Sequence, residues 1–492
     1  MSPSQKHDTQ PSRVLFATSE CAPLVKTGGL GDVSAALPAA LHAIGIDVRV
    51  LLPGYPAVKE ANPDTPELAS FKVLGHKVRI LEAKLPSGVP LLIADAPELY
   101  ERLGGPYQQD NGDDWTDNAI RFGVLSLTAA ILGTGVSPLQ WRPEVMHCND
   151  WPTALAPLFL RFAASSPAAS LLTVHNLAFQ GVFPYSEIES LDLPDDSLGI
   201  EGVEFYGKVS FLKGGLVYAD AINTVSPTYA REIQTPEVGF GMDGVLRARA
   251  KDLTGILNGI DMALWNPATD PWIPNRYDAA SLDGKAANKR AFKERLGLGG
   301  SDDVPLAAIV SRLTSQKGID VIVDAMPQLA RIPIQVAIVG SGEQALVERI
   351  REAHHRFPEH LGTFIGFDEG LAHLLEAGAD MFLMPSRFEP CGMNQMYSQR
   401  YGTPPIAHAT GGLVDTVVDD GLDPSADTGF LMRELSVSAL VAAVERAVAA
   451  HRDPAHWARL QRHGMARDFG WDRAARAYAG IYARIKPVKP IS

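Results

Sequence analysis

The chain has 492 residues, 46% of them apolar and 21% charged, which provides material for two or three sizeable cores and argues against bulk disorder. Its 44 basic and 57 acidic residues leave a net charge of −13, a poor match for a nucleic-acid backbone or an anionic membrane surface. Its three cysteines, Cys21, Cys148 and Cys391, are odd in number and far apart, so they form no disulfide framework, and no C-x-x-C pair offers a zinc or redox motif.

Residues 1–12 are polar, lack an apolar signal-peptide core, and read as a disordered tail. A strand-like run, RVLFATSE at 13–20, leads into the glycine-rich KTGGLGDV at 26–33. A helical pattern ending near Gly45 and a second strand from Asp47 complete a βαβ unit. The most apolar window, 124–136, is interrupted by Ser126, Thr128, Gly133 and Thr134 and is too short to cross a bilayer. With the reduced cysteines, this points to a cytoplasmic protein. Further strands are predicted at 89–94, 144–148, 171–176 and 221–226, with a helix from Thr153. The stretch 257–278 carries three prolines and little periodicity, as an ordered inter-domain connection would. A cleaner alternation follows, with strands at 305–310, 334–340, 361–367, 381–386 and 405–409. Its helices run from Gly318, over 344–356, over 371–377 and from Gly392; helices at 437–450 and 474–485 close the chain. The predicted fold class is α/β, two Rossmann-like domains with a deep cleft between them, because ligands of such sheets sit beyond the carboxyl ends of the strands.

Chemistry-bearing residues follow strands in both halves. Gly28, Gly29 and Gly31 with Lys26 read either as an anion-binding βα loop or as a tight turn that happens to be glycine-rich. The pattern is neither G-x-G-x-x-G nor a Walker A loop. Arg312 and Lys317, just after an apolar strand and beside a helix start, suit a diphosphate. Glu389, in SRFEPCGMNQ, can hydrogen-bond sugar hydroxyls or stabilise developing positive charge. Thr410, Gly411 and Gly412 form a second glycine-rich loop before a helix. Asp150, His175 and Asn176 stand at strand ends in the first half. The chain contains no D-x-D, the usual metal–diphosphate signature of glycosyltransferases, so no metal is expected.

Taken in order, SECAPLVKTGGLGDV, FLKGGLVYAD, NTVSPTYAREI, GMDGVL, LNGIDMALWNP, VSRLTSQKG, SRFEPCGMNQ and TGGLVDT resemble the bacterial glycogen synthases and related plant starch synthases, over roughly residues 13–482. The resemblance implies a retaining GT-B glycosyltransferase that moves glucose from ADP-glucose to the non-reducing end of an α-1,4-glucan (glycogen or a maltooligosaccharide) without a cofactor. It implies an N-terminal domain over 13–256, a donor domain over 257–465, and a C-terminal helix over 466–492 returning to the first domain. By motif, Arg312 and Lys317 would neutralise the leaving diphosphate, Glu389 would contact the donor glucose, and His175 would lie beside the transferred sugar. Lys26, Gly28, Gly29, Asn258, Cys391, Gly392 and Thr410–Gly412 would line the donor, with Phe367 against the adenine. Asp150, Asn176 and Asp32 would serve the acceptor side or support it. The chain departs from the family pattern at HCNDWP, GMNQ and His408, and has Tyr397 where related enzymes carry a second glutamate. A UDP-glucose enzyme of the same architecture, or one with a different acceptor, is the alternative.

Overall fold

The computed structural model describes residues 12–485 and divides into two compact units. One contains the chain up to Asn258 together with the chain from Trp471; the other is the continuous segment Gly259–Gly470. All but the last residue of the expected tail, 1–12, falls outside the described residues.

In the first unit the strands are β1 (Arg13–Ala17), β2 (Asp47–Pro53), β3 (Glu67–Val73), β4 (His76–Lys84), β5 (Pro90–Asp95), β6 (Val145–Asn149), β7 (Ala169–Val174), β8 (Val182–Phe183), β9 (Glu204–Phe205), β10 (Lys208–Ser210), β11 (Ala221–Thr224) and β12 (Leu253–Gly255). Nine of them form one sheet in the order β12-β11-β7-β6-β1-β2-β5-β4-β3. It is parallel from β12 to β5, and β4 and β3 extend it as an antiparallel edge hairpin. Strands β8, β10 and β9 form a separate small antiparallel sheet. The apolar window read at 124–136 lies largely in the helix Asn118–Leu132, buried along most of its length.

The helix Asp472–Ile485 belongs to this unit, with Trp471, Ala474, Ala475, Tyr478, Ile481 and Tyr482 in its core. Two tyrosines tie it to the sheet. Asn149, Thr173 and Asn223 align across β6, β7 and β11. The Tyr482 hydroxyl donates to Nδ1 of buried His147 (2.8 Å), and His147 Nε2 donates to Thr173 Oγ1 (2.6 Å). Thr173 donates to Asn223 Oδ1, and Asn223 Nδ2 donates to the Tyr478 hydroxyl (3.1 Å). The hydrogen bonds therefore run in one direction from the helix, across the sheet, and back to the helix. Each buried group finds a partner, the condition under which a polar network in a core rigidifies the fold.

The second unit holds β13 (Leu306–Leu313), β14 (Gln335–Gly342), β15 (Leu361–Ile365), β16 (Met381–Met384), β17 (Pro405–His408) and β18 (Phe430–Met432), all parallel, in the order β15-β14-β13-β16-β17-β18. Ala307, Ile309, Val336, Ile338, Met381 and Leu383 feed one core; Leu306, Ala308, Ala337, Val339, Phe382 and Met384 feed the other. Both faces are covered, which is why these strands read as continuous apolar runs without alternation. The helix expected from Gly392 spans Asn394–Arg400 instead, because Gly392 at φ +70° and Met393 at φ −126° hold the chain out of helical geometry.

Candidate active site

In the second unit, the charged residues gather where β13 and β16 end. The chain leaves β13 through Arg312, makes a short turn over Ser315–Lys317, and reaches Gly318 at φ +67°. A side chain at Gly318 would overlap the Pro385 carbonyl oxygen at 1.8 Å, so glycine there lets this turn press against the end of β16. Lys317 is thereby brought to Glu389: Nζ donates to Oε2 at 2.6 Å, and Ser386 Oγ donates to the same oxygen at 2.9 Å. Glu389 is buried and Lys317 largely so. The exposed guanidinium of Arg312 makes no ion pair among the described residues. Glu389 Oε1 carries no hydrogen bond among the described residues, whereas Oε2 is held twice.

The Glu389 loop is itself clamped. Gly411, at φ +47°, would overlap the Glu389 carbonyl oxygen at 1.9 Å if it bore a side chain, and the Gly412 amide donates to that carbonyl at 3.0 Å. The loop expected to face a phosphate, Thr410–Gly412, therefore also fixes the backbone of Glu389. His408 Nδ1 donates to the Ser386 carbonyl (2.7 Å), holding the residue that holds Glu389. Cys391 is a buried thiol outside any disulfide, next to Gly392. Phe367, after β15, is 81% exposed and presents an open ring.

In the first unit, the ends of β6 and β7 bring Asp150, His175 and Asn176 together. Asp150 Oδ1 accepts the His175 amide (2.7 Å) and the Asn176 amide (3.4 Å). Asp150 takes φ +53°, a conformation that a non-glycine residue holds only under constraint. Burial pushes its carboxyl up to about 7, against the pull of those two amides. One of its oxygens is thus spent on shaping the β7 end. Asn149 Nδ2 donates to the Ala17 carbonyl (3.0 Å), so its Oδ1 accepts from His175 Nε2 (3.0 Å). His175 consequently keeps its proton on Nε2 and offers Nδ1 as an acceptor. Burial depresses its pKa to about 3, leaving a neutral ring.

Lys26 and Asp32 pair at 2.8 Å, both accessible. The sequence reading missed Glu20, which organises this loop. Its buried carboxylate accepts Thr27 N (2.6 Å), Thr27 Oγ1 (2.6 Å), Gly28 N (3.1 Å) and the Tyr107 hydroxyl (2.7 Å). The Thr27 and Gly28 amides, in the loop that reads either as an anion site or as a tight turn, are therefore occupied from within, and the helix Gly29–Ala43 begins directly after them. Asn258 is buried, with Oδ1 unpartnered among the described residues. Asn149, Ser386 and Tyr107 were missed as well; a polar residue at a strand end was the only signal for the first two, and Tyr107, in the loop between two helices, gave none.

Among the described residues, one cluster has ion-binding spacing, Asp420, Asp427 and His456, but His456 bonds Asp420 (2.8 Å) and His463 bonds Asp427 (2.9 Å). No helix among the described residues is long and apolar enough to cross a membrane.

Comparison with known proteins bears on the family and the fold. Residues 13–248 match the starch synthase catalytic domain, and residues 292–463 match the glycosyl transferases group 1 domain. A glycogen synthase of Aromatoleum aromaticum is 55% identical over 479 residues, 96% of this chain and 97% of the relative. One from Nitrosospira multiformis is 53% identical over 478 residues, 95% of this chain and 96% of the relative. Among solved structures, the catalytic domain of starch synthase IV from Arabidopsis thaliana, bound to ADP and acarbose, superposes with a TM-score of 0.85 at 31% identity, covering 96% of this chain and 99% of that one. A sucrose-phosphate synthase from Thermosynechococcus elongatus, at TM-score 0.59 and 20% identity over 96% and 98% of the two chains, shares the fold alone. With two Rossmann-like sheets and these relatives over nearly its whole length, the chain belongs to the glycogen and starch synthase family of GT-B glycosyltransferases.

Proposed function

We propose that this protein transfers glucose from ADP-glucose to the non-reducing end of an α-1,4-glucan with retention of configuration. The observation that carries the proposal is the Lys317–Glu389 pair at 2.6 Å, in the turn that follows the strand end bearing Arg312. Breaking the anomeric C–O bond leaves positive charge on the sugar and negative charge on the diphosphate. Arg312 and the two remaining N–H donors of Lys317 meet the diphosphate. Glu389 Oε1 accepts a donor-sugar hydroxyl, while its carboxylate stabilises the developing cation. His175 Nδ1 accepts a hydroxyl of the transferred glucose. Phe367 stacks on the adenine, and Cys391, Gly392, Asn258, Lys26 and the Thr410–Gly412 loop complete the donor surroundings. Asp150, Asn176 and Asp32 support the acceptor side. The sequence motifs offer no unambiguous carboxylate nucleophile, so in this reading the glucan 4-hydroxyl attacks from the face the diphosphate leaves, and a departing phosphate oxygen takes its proton.

In this reading the charge handling falls to Arg312 and Lys317, and no metal is required. Incubation with ADP-glucose and glycogen is expected to release ADP, in EDTA as in its absence, and to extend α-linked chains. Transfer from UDP-glucose at equal or greater efficiency identifies the alternative donor; loss of activity in EDTA overturns the metal-free reading.

A further inference from the structure

The Ser315–Lys317 turn and the loop that leaves β16 lie far apart in the chain, yet they meet along several residues. The Arg387 amide donates to the Gln316 carbonyl (2.8 Å), and Gln316 Nε2 donates to the Phe388 carbonyl (3.3 Å). Lys317 and Glu389 close this seam at 2.6 Å. At its other end stands Arg387. Its Nη1 donates to Asp320 Oδ1 (2.8 Å) and to the Ser315 carbonyl, and its Nη2 donates to Asp320 Oδ2 (2.6 Å). Nη1 carries two hydrogens, one for each of its acceptors. Asp320 lies in the first turn of the helix Ile319–Leu329. A single guanidinium therefore grips both the start of the turn and the helix that follows it.

The pair stays ionised. The Asp320 carboxyl is held below the usual carboxylate range, chiefly by the hydrogen bond from Arg387, and Arg387 is raised in return. Arg349 adds to the pull on Asp320, although its own ion pair is with Asp324 (2.6 Å). The Arg387 side chain is 42% exposed and that of Asp320 21%, and solvent screens such a pair until it adds little to stability. Its forked geometry still fixes direction. Direction is what Lys317 requires, because its ammonium is a point charge on a flexible four-carbon stem and reaches only where the backbone beneath it aims. Gly318 lets the turn approach Pro385, but a glycine permits that approach without enforcing it.

We infer that Arg387 and Asp320 are a positioning pair, whose ion pair locks the Ser315–Lys317 turn onto the 385–389 loop and so aims the Lys317 ammonium at Glu389. The pair acts through Lys317 and Glu389. Its kinetic consequence rests on the proposed function, whereas the aim of Lys317 is readable without turnover.

The test compares Arg387→Ala, Asp320→Ala and the double variant with the parent. In Arg387→Ala, kcat is expected to fall about 10²-fold, the scale of a misplaced reacting group, with the KM for glycogen kept within about twofold. Melting within about two degrees of the parent is expected, because a screened pair contributes little to the fold. The double variant should lose no more than the worse single variant, since each truncation removes the same lock. Millimolar guanidinium should restore part of kcat to Arg387→Ala and none to the double variant, whose carboxylate is gone. In ligand-free protein, acetylation of Lys317 by acetic anhydride, read by mass spectrometry, should quicken about threefold or more in Arg387→Ala, because an ammonium freed from its carboxylate gives up its proton more easily. Near-parental kcat in Arg387→Ala overturns the pair. Additive losses in the double variant also overturn it, since Arg387 would then act independently of Asp320. Rescue that persists without Asp320 does the same, as does a melting loss of many degrees, since the pair would then serve the fold. If the parent transfers no glucose, the proposed function fails and the labelling decides the pair: faster acetylation sustains it, and an unchanged rate overturns it.

Discussion

Lys317 and Glu389 satisfy each other in the absence of substrate, so each fixes the other in place. In the proposed mechanism, neutralising either residue removes a transition-state contact and also costs its partner the ion pair. Lys317→Ala and Glu389→Gln are each expected to lower kcat about 10²–10³-fold, the scale of losing one preorganised electrostatic contact, with the far-ultraviolet circular dichroism unchanged. Near-parental turnover in either variant would remove that residue from the mechanism. His175 gives a prediction in pH. Its folded pKa, about 3, lies below the ordinary value of 6.5, so between those limits the unfolded chain binds the extra proton. The stability tied to the neutral ring is complete above pH 6.5 and is lost as pH falls toward 3. Nitrogen NMR of the ring should show a neutral, Nε2-protonated imidazole throughout pH 5–8, with no inflection near 6.5. A midpoint near 6.5 would show that Asn149 does not hold the tautomer.

At the scale of elements, the hydrogen-bonded circuit from Tyr482 through His147, Thr173 and Asn223 to Tyr478 joins one helix to three strands. Tyr482→Phe leaves Nδ1 of a buried imidazole without a donor, at a cost of ~1–3 kcal/mol. Thermal unfolding should therefore begin several degrees lower, and an unchanged melting temperature would show that water replaces the hydroxyl. None of this circuit was legible in the sequence: Tyr482 and His147 are 335 positions apart, and no local pattern announces their meeting. Five strands of the second unit were legible, because β13, β14 and β16 are apolar on both faces and are followed by glycine or charge, whereas the three-residue edge strand β18 was missed. The edge hairpin of β3 and β4 was missed although its turn at Leu74–Gly75 has both φ angles positive, since β3 is largely exposed and its apolar residues are sparse. The helix Pro454–Ala466 was also missed; its mixed face packs partly through Gln461 and Gly464, which carry little hydrophobic signal. Of the site, Arg312, Lys317 and Glu389 were legible as charges after strands. Glu20, Asn149 and Ser386 were not, because their importance lies in the partners that folding brings to them.

At the scale of the molecule, the candidate site residues are divided between the two units: Asp150 and His175 lie in one, Arg312, Lys317 and Glu389 in the other. The first unit is discontinuous in sequence and the second is an uninterrupted insertion. That asymmetry has a consequence for biosynthesis. As the chain leaves the ribosome, the nine-stranded sheet emerges long before the helix Asp472–Ile485 that covers part of its face. His147 and Asn223 must wait, lacking the Tyr482 and Tyr478 hydroxyls, while the whole of Gly259–Gly470 is translated. The inserted unit can complete its own cores first, so the earlier half of the chain finishes folding last. A chain ended after Gly470 is expected to retain a cooperative transition from the second unit and to aggregate through the first. Adding residues 471–492 as a separate peptide should restore solubility. A truncated chain that stays soluble and melts like the parent would show that the sheet closes without its final helix.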